Sequence, residues 1–168
     1  NTHQYDEALR ELRRIAEANP GLVDVWLRLA ELDVELGRPR DAVGSYRIAM
    51  ASSGNMTADV AVMAGNVLLQ AGELDDAAKL AEVASGRNPD SSAALLARIA
   101  IARGDLDTAG RLARDLLSRS PGEEHRLLLA RVAHARGLYA ETLRIIDGVD
   151  VYNAGALRGD ALARLDRH

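Results

Sequence analysis

Gly72-Glu73-Leu74-Asp75-Asp76-Ala77 is the stretch on which the reading of this chain turns. A glycine is followed by a helix start, and a small residue stands five places on. The same order recurs at Gly37-Arg38-Pro39-Arg40-Asp41-Ala42, at Gly104-Asp105-Leu106-Asp107-Thr108-Ala109 and at Gly137-Leu138-Tyr139-Ala140-Glu141-Thr142. These glycines are spaced by 35, 32 and 33 residues. A second punctuation falls between them, at Asn19-Pro20, Ser53-Gly54, Asn88-Pro89 and Ser120-Pro121. A fixed period of this length marks an array of small units, none of which can bury its apolar face alone.

Each unit splits into two stretches of about 14 residues with a breaker at both joints, and helix ends explain the breakers. Glycine tolerates the left-handed conformation that closes a helix, and proline stops a helix or opens the next. Pro39 falls where a first-turn proline is harmless. Ser120-Pro121-Gly122-Glu123 has the spacing of a capping box. Inside the stretches, apolar residues recur at three- and four-residue intervals, as at Val25, Leu29 and Leu32, or Leu96, Ile99 and the aliphatic stem of Arg103. The pattern predicts ten helices, over 2–18, 22–36, 39–52, 57–71, 74–87, 90–103, 106–119, 122–136, 139–147 and 151–166.

Composition agrees with stacked helices. Hydrophobic residues make up 48% of the 168 residues but aromatics only 3%, with no Phe, so the core must come from Ala, Leu, Val and Ile. Small residues suit closely approaching helices better than a sheet, which favours β-branched and aromatic side chains. The net charge of −4 argues against general nucleic-acid binding. The absence of Cys excludes disulfides, zinc-thiolate sites and a cysteine nucleophile, and no apolar run approaches the ~20 residues of a membrane span. Lys79 is the only lysine among 21 basic residues, a bias that a GC-rich bacterial genome can produce. Cytoplasmic and periplasmic locations both fit.

As a set, these residues resemble the tetratricopeptide repeat family. Trp26, Leu29, Ala30, Gly37, Ala42, Tyr46 and Ala49 match its pattern in the second unit. Tyr5, Ala8, Leu12 and Pro20 match the second half of the first, and Leu74, Ala77, Ala84 and Pro89 match in the third. The resemblance implies an all-α, right-handed α-solenoid of about five helix-turn-helix repeats, forming one domain over 1–168. Asp33 departs from it, standing where the family has a large apolar residue or Tyr. The last helices match poorly, because Gly148 cuts the ninth and Gly155 and Gly159 weaken the tenth at ~1 kcal/mol each; residues 149–168 are expected to form the C-terminal cap. The first helix reads as a second helix without its partner, so the expectation is a segment of a longer protein.

The catalytic inventory is thin. His3, His125, His134 and His168 are the only histidines, and His125 and His134 are nine apart, not at the i, i+4 spacing of a helical metal pair. The acidic pairs Asp75-Asp76 and Glu123-Glu124 each open a helix, where negative charge offsets the helix dipole. Ser52-Ser53 and Ser91-Ser92 sit at helix junctions, where Ser caps orphan N–H groups. The glycines come singly and terminate helices, so there is no phosphate-cradling loop. Neither an enzyme nor a cofactor or metal site is expected.

Function is then sought on surfaces. The family resemblance implies that the first helix of each pair lines a concave groove. Six places before each turn glycine stand Glu31, Asn66, Arg98 and Arg131; three before stand Val34, Leu69, Ile101 and His134; ten before stand Leu27, Val62, Ala94 and Leu127. The resulting ladders are apolar on one side and turn from acidic to basic on the other. The expected groove residues are Asn66, Leu69, Arg98, Ile101, Leu127, Arg131 and His134, facing a partner protein or peptide with an acidic group. The clamp of family members that bind chaperone C-termini is not matched: Leu27, Glu31, Met63, Ser91 and Leu95 occupy its places, and a shift by one repeat recovers only Asn66. The leading expectation is a non-catalytic interaction scaffold. The alternatives are an accessory region of a larger hydrolase or transferase and a homo-oligomerisation module.

Overall fold

The structure, a computed structural model, describes residues 2–52, 57–151 and 153–166, without the side chains of residues 2–6. The expectations for His3, the Tyr5 side chain, Ser53-Gly54 and His168 therefore lie outside the described residues. All regular structure among the described residues is helical. The helices are α1 Thr2–Ala18, α2 Val23–Glu35, α3 Pro39–Ser52, α4 Ala58–Ala71, α5 Leu74–Ser85, α6 Pro89–Arg103, α7 Leu106–Arg119, α8 Glu123–Ala135, α9 Tyr139–Ile145 and α10 Ala154–Leu165. Each lies within three residues of the span read from the sequence.

The repeated turn is a single device. Gly72 closes α4 with φ 86°; its N–H bonds the Leu69 carbonyl, and the Glu73 N–H reaches back to the Leu68 carbonyl. Gly104 closes α6 the same way with φ 77°, with bonds to Ile101 and from Asp105 to Ala100. This pair of bonds satisfies carbonyls that a helix end would leave orphaned. The next helix starts at once: the Asp105 carboxylate accepts the Thr108 N–H at 3.1 Å. The breakers between units act differently. Asn88 caps α6 by accepting the Ser91 N–H, with Pro89 in the first turn. Within each compact unit, such short connections make helices joined by a turn antiparallel neighbours, as α2 with α3 and α6 with α7.

The chain forms two compact units, Asn1–Ala84 and Ser85–His168. In the first, Leu9 and Ala16 of α1, Trp26, Leu29 and Leu32 of α2 and Ala49 of α3 form a common core. The Trp26 indole N–H donates to the Pro20 carbonyl at 3.2 Å, so this large side chain is buried with its polar atom satisfied. Ala42, Tyr46 and Ala77 are also buried, as the repeat register requires. Burial, with a smaller push from Glu31, raises the Tyr46 phenol to about 12.

In the second unit, Ala97 and Ala100 of α6, Ala109, Ala113 and Leu116 of α7 and Leu128 and Val132 of α8 pack together. Four of these seven are alanines, which is how the helices approach closely without aromatics. A further cluster joins Leu127 and Ala130 of α8 to Ile146, Val149 and Ala154. The weak end of the chain is fastened by arginines. Arg126 donates to the Ile145 and Asp147 carbonyls at 2.9 and 2.7 Å, and Arg158 to those of Ile146 and Val149 at 3.0 and 3.4 Å. These bonds take up carbonyls released where α9 stops early, so α10 docks despite Gly155 and Gly159.

Two local expectations change, at Leu96 and at Ser120–Glu123, while Asp33 finds a charged partner. Leu96 is half-buried, while its neighbour Leu95 is wholly enclosed and carries the core position. The capping box at Ser120–Glu123 does not form: Ser120 ends α7, Gly122 precedes α8 without a side-chain cap, and Glu123 instead accepts the Asp150 N–H at 3.3 Å. Asp33 is buried at 1% exposure and charge-paired with Arg13, but its Oδ2 accepts no hydrogen bond among the described residues.

Candidate functional site

Arg98 stands on α6 and Arg131 on α8, two helices in direct contact within the second unit. Both side chains are half-buried. The Arg98 Nε donates to the Ala94 carbonyl of its own helix at 3.4 Å, a weak contact for a guanidinium with five N–H donors. Neither arginine forms an ion pair among the described residues. Burial, and after it the like charge of Arg131, pull Arg98 below the ordinary arginine range, while Glu124 acts in the opposite direction. Two partly desolvated cations beside one another are unfavourable unless an anion sits between them.

Around this pair, Ile101 is half-buried and packs on the core of the unit. Leu127 does not fit the expected role. It is 4% exposed and packs among Ala130, Ile146, Val149 and Ala154, so it supports α8 from the inside instead of meeting a ligand. Leu127 shares a face with Arg131, four residues on, but the α9–α10 connection covers its turn of the helix.

His134 lies one turn beyond Arg131. Its Nε2 comes within 2.7 Å of Asp160 Oδ2 on α10, yet makes no aligned hydrogen bond, so the contact is a close approach with poor geometry. Its ring meets Tyr139 edge-on at 5.3 Å. Arg164 lies 3.6 Å from the other oxygen of Asp160. Asp160 escaped the sequence reading because the last helix matches the repeat pattern too poorly for its positions to be aligned with the others.

In the first unit, Asn66 and Leu69 are both half-buried on α4. The Asn66 Oδ1 is shut off from water without a hydrogen-bond partner among the described residues. The acidic pair Asp75-Asp76 has a structural use. Asp76 accepts from Arg47 of α3 at 2.7 Å and from Lys79 at 3.0 Å, and these hydrogen bonds hold its carboxyl below the usual range. Among the described residues, no cluster of three or more His, Asp or Glu is placed to hold a metal ion, and no helix is long and apolar enough to cross a membrane.

Two family models described as tetratricopeptide repeat match the sequence, one over residues 2–44 and 68–132 and the other over 27–92. No curated protein matches it. Several solved structures share the fold. A tetratricopeptide repeat protein from Parabacteroides merdae superposes with a TM-score of 0.84 at 18% identity, over 98% of this chain and 67% of that one. PilW, a type IV pilus biogenesis factor, gives 0.73 at 16% identity, over 98% and 80%. YrrB, a repeat protein with an unusual peptide-binding site, gives 0.67 at 15% identity, over 99% and 84%.

Proposed function

The chain belongs to the tetratricopeptide repeat family, and from that membership we propose that it is a non-catalytic scaffold that holds a partner peptide through an acidic group at Arg98 and Arg131. The observation that carries the proposal is the half-buried, like-charged arginine pair that forms no ion pair among the described residues, with Glu124 acting on Arg98 only through its charge. Nothing in helix stacking requires arginine there, since Glu31 and Asn66 fill the same place in other repeats. A carboxylate between the two guanidiniums would offset their repulsion and accept charge-assisted bonds from both. Such bonds are worth about 1.5–3 kcal/mol when shielded and much less in open water. Ile101 supplies an apolar contact beside them and His134 a polar one. The peptide-binding site named for YrrB, on the same fold, supports the class of ligand but says nothing about these residues.

The test takes the best ligand from an acidic peptide library. Arg98→Ala/Arg131→Ala should weaken binding at least about tenfold, or ~1.4 kcal/mol, with an unchanged helical CD spectrum. Binding should also weaken as salt rises. Affinity that survives the double substitution would show the pair to be a solvated face.

A further inference from the structure

We infer that the first unit carries a separate small-molecule site: the pocket bounded by α1, α2 and α3 takes a zwitterion, its ammonium on Asp33 and its carboxylate on the α1 arginines. The pocket has a volume of about 520 Å³ and is lined by Leu9, Arg10 and Arg13 of α1, Asp33 of α2, Arg38 of the turn that follows it and Asp41 of α3. That size lies within the ordinary range for small-ligand sites. A short carboxylate, Asp33, stands in its lining at the place where the repeat pattern puts a large apolar side chain or Tyr.

Asp33 is the feature that asks for a ligand. It is 1% exposed, and its Oδ2 faces no hydrogen-bond donor among the described residues. The Arg13 Nη2 is 3.9 Å away, beyond hydrogen-bond reach. A buried carboxylate oxygen without a donor is costly, whereas an ammonium brings three donors on one compact atom. The Arg13 side chain is 53% exposed and can turn outward. Once an ammonium replaces it beside Asp33, Arg13 and Arg10 present guanidiniums to a carboxylate on the same ligand.

Charge selects the zwitterion over simpler ions. Three guanidiniums surround the pocket, so a bare cation is repelled at its mouth; Asp33 and Asp41 oppose a bare anion. Leu9, 6% exposed, forms an apolar wall for a short side chain. An α-amino acid or a dipeptide satisfies all of these groups together. The site shares no residue with the Arg98–Arg131 pair and does not depend on the peptide-binding reading.

Isothermal titration of the whole chain tests it, with alanine, alanyl-alanine, N-acetylalanine and ethylamine as probes. Alanine or alanyl-alanine should bind saturably with a Kd of about 1 mM or tighter, and the preference between the two separates a free amino acid from a dipeptide. N-acetylalanine lacks the ammonium and ethylamine the carboxylate, so both should bind at least about tenfold more weakly. Asp33→Asn and Arg13→Ala should each cause a similar loss, while Arg98→Ala/Arg131→Ala should cause none. The proposal fails if neither zwitterion binds, in which case Asp33 is merely hydrated, or if N-acetylalanine binds as well as alanine. It also fails if Asp33→Asn leaves affinity unchanged. Should a variant not fold, the comparison of alanine with N-acetylalanine on the unmodified chain decides alone.

Discussion

Arg13 on α1 and Asp33 on α2 face one another at 3.9 Å, an ion pair too long to share a hydrogen bond. Desolvation raises the Asp33 carboxyl above its ordinary value; Arg13 opposes the rise, Asp41 adds to it and Arg38 opposes it. The folded protein thus holds this proton more tightly than the unfolded chain does. The stabilisation is complete below the unfolded value, near 3.8, and is lost as pH climbs through the higher folded value. At neutral pH the charged carboxylate is a net cost.

Asp33→Asn should therefore raise the melting temperature at pH 7. An increase of about 2–4 °C corresponds to ~1 kcal/mol in a chain of this size. The advantage over the unmodified protein should shrink as pH falls toward 4. Thermal melts of both proteins at several pH values check this, and a constant difference would show that charge is not the cause.

Ala77 is wholly enclosed at the start of α5. Its small size lets neighbouring backbone come close, so Ala77→Leu should overpack the site and destabilise by about 1–3 kcal/mol. The expected melting temperature is several degrees lower. An unchanged value would mean that the repeat register around Gly72 is misassigned.

One substitution at two glycines should have opposite effects. Gly104 has φ 77° with open space around it, so Gly104→Ala meets no clash but strains the backbone by roughly 1–2 kcal/mol. Gly159 lies inside α10, also with open space, and Gly159→Ala should stabilise by about 0.5–1 kcal/mol. Denaturant unfolding of the two variants, compared side by side, measures both signs.

Arg126 ties α8 to the carbonyls of Ile145 and Asp147. Arg126→Ala should speed amide exchange across residues 145–150 at least about tenfold, equivalent to ~1.4 kcal/mol of local opening. Exchange in α6 and α7 should stay as it was. A global acceleration would show instead that the last helices are part of one cooperative unit with the rest.

The sequence by itself determined the helices and their joints. Gly37, Gly72, Gly104 and Gly137 mark turns whose hydrogen bonds close within six residues, so local chemistry suffices to place them. The buried Trp26, Leu29, Ala30, Ala42 and Ala109 follow from the same register. Tertiary structure alone decided how each helix is rotated and what it meets. Packing encloses Leu95 and leaves Leu96 half-covered, and it draws Leu127 into the core beneath the last two helices. It brings Asp160 to His134 from 26 residues away, and it spends Glu123 on Asp150 instead of on a capping box. It also seats Asp33 against Arg13 over a pocket that no local pattern foretells. A helix closes its own hydrogen bonds and can be read in place; the partner of a side chain depends on the angle at which two finished helices pack, which is set by all their contacts together.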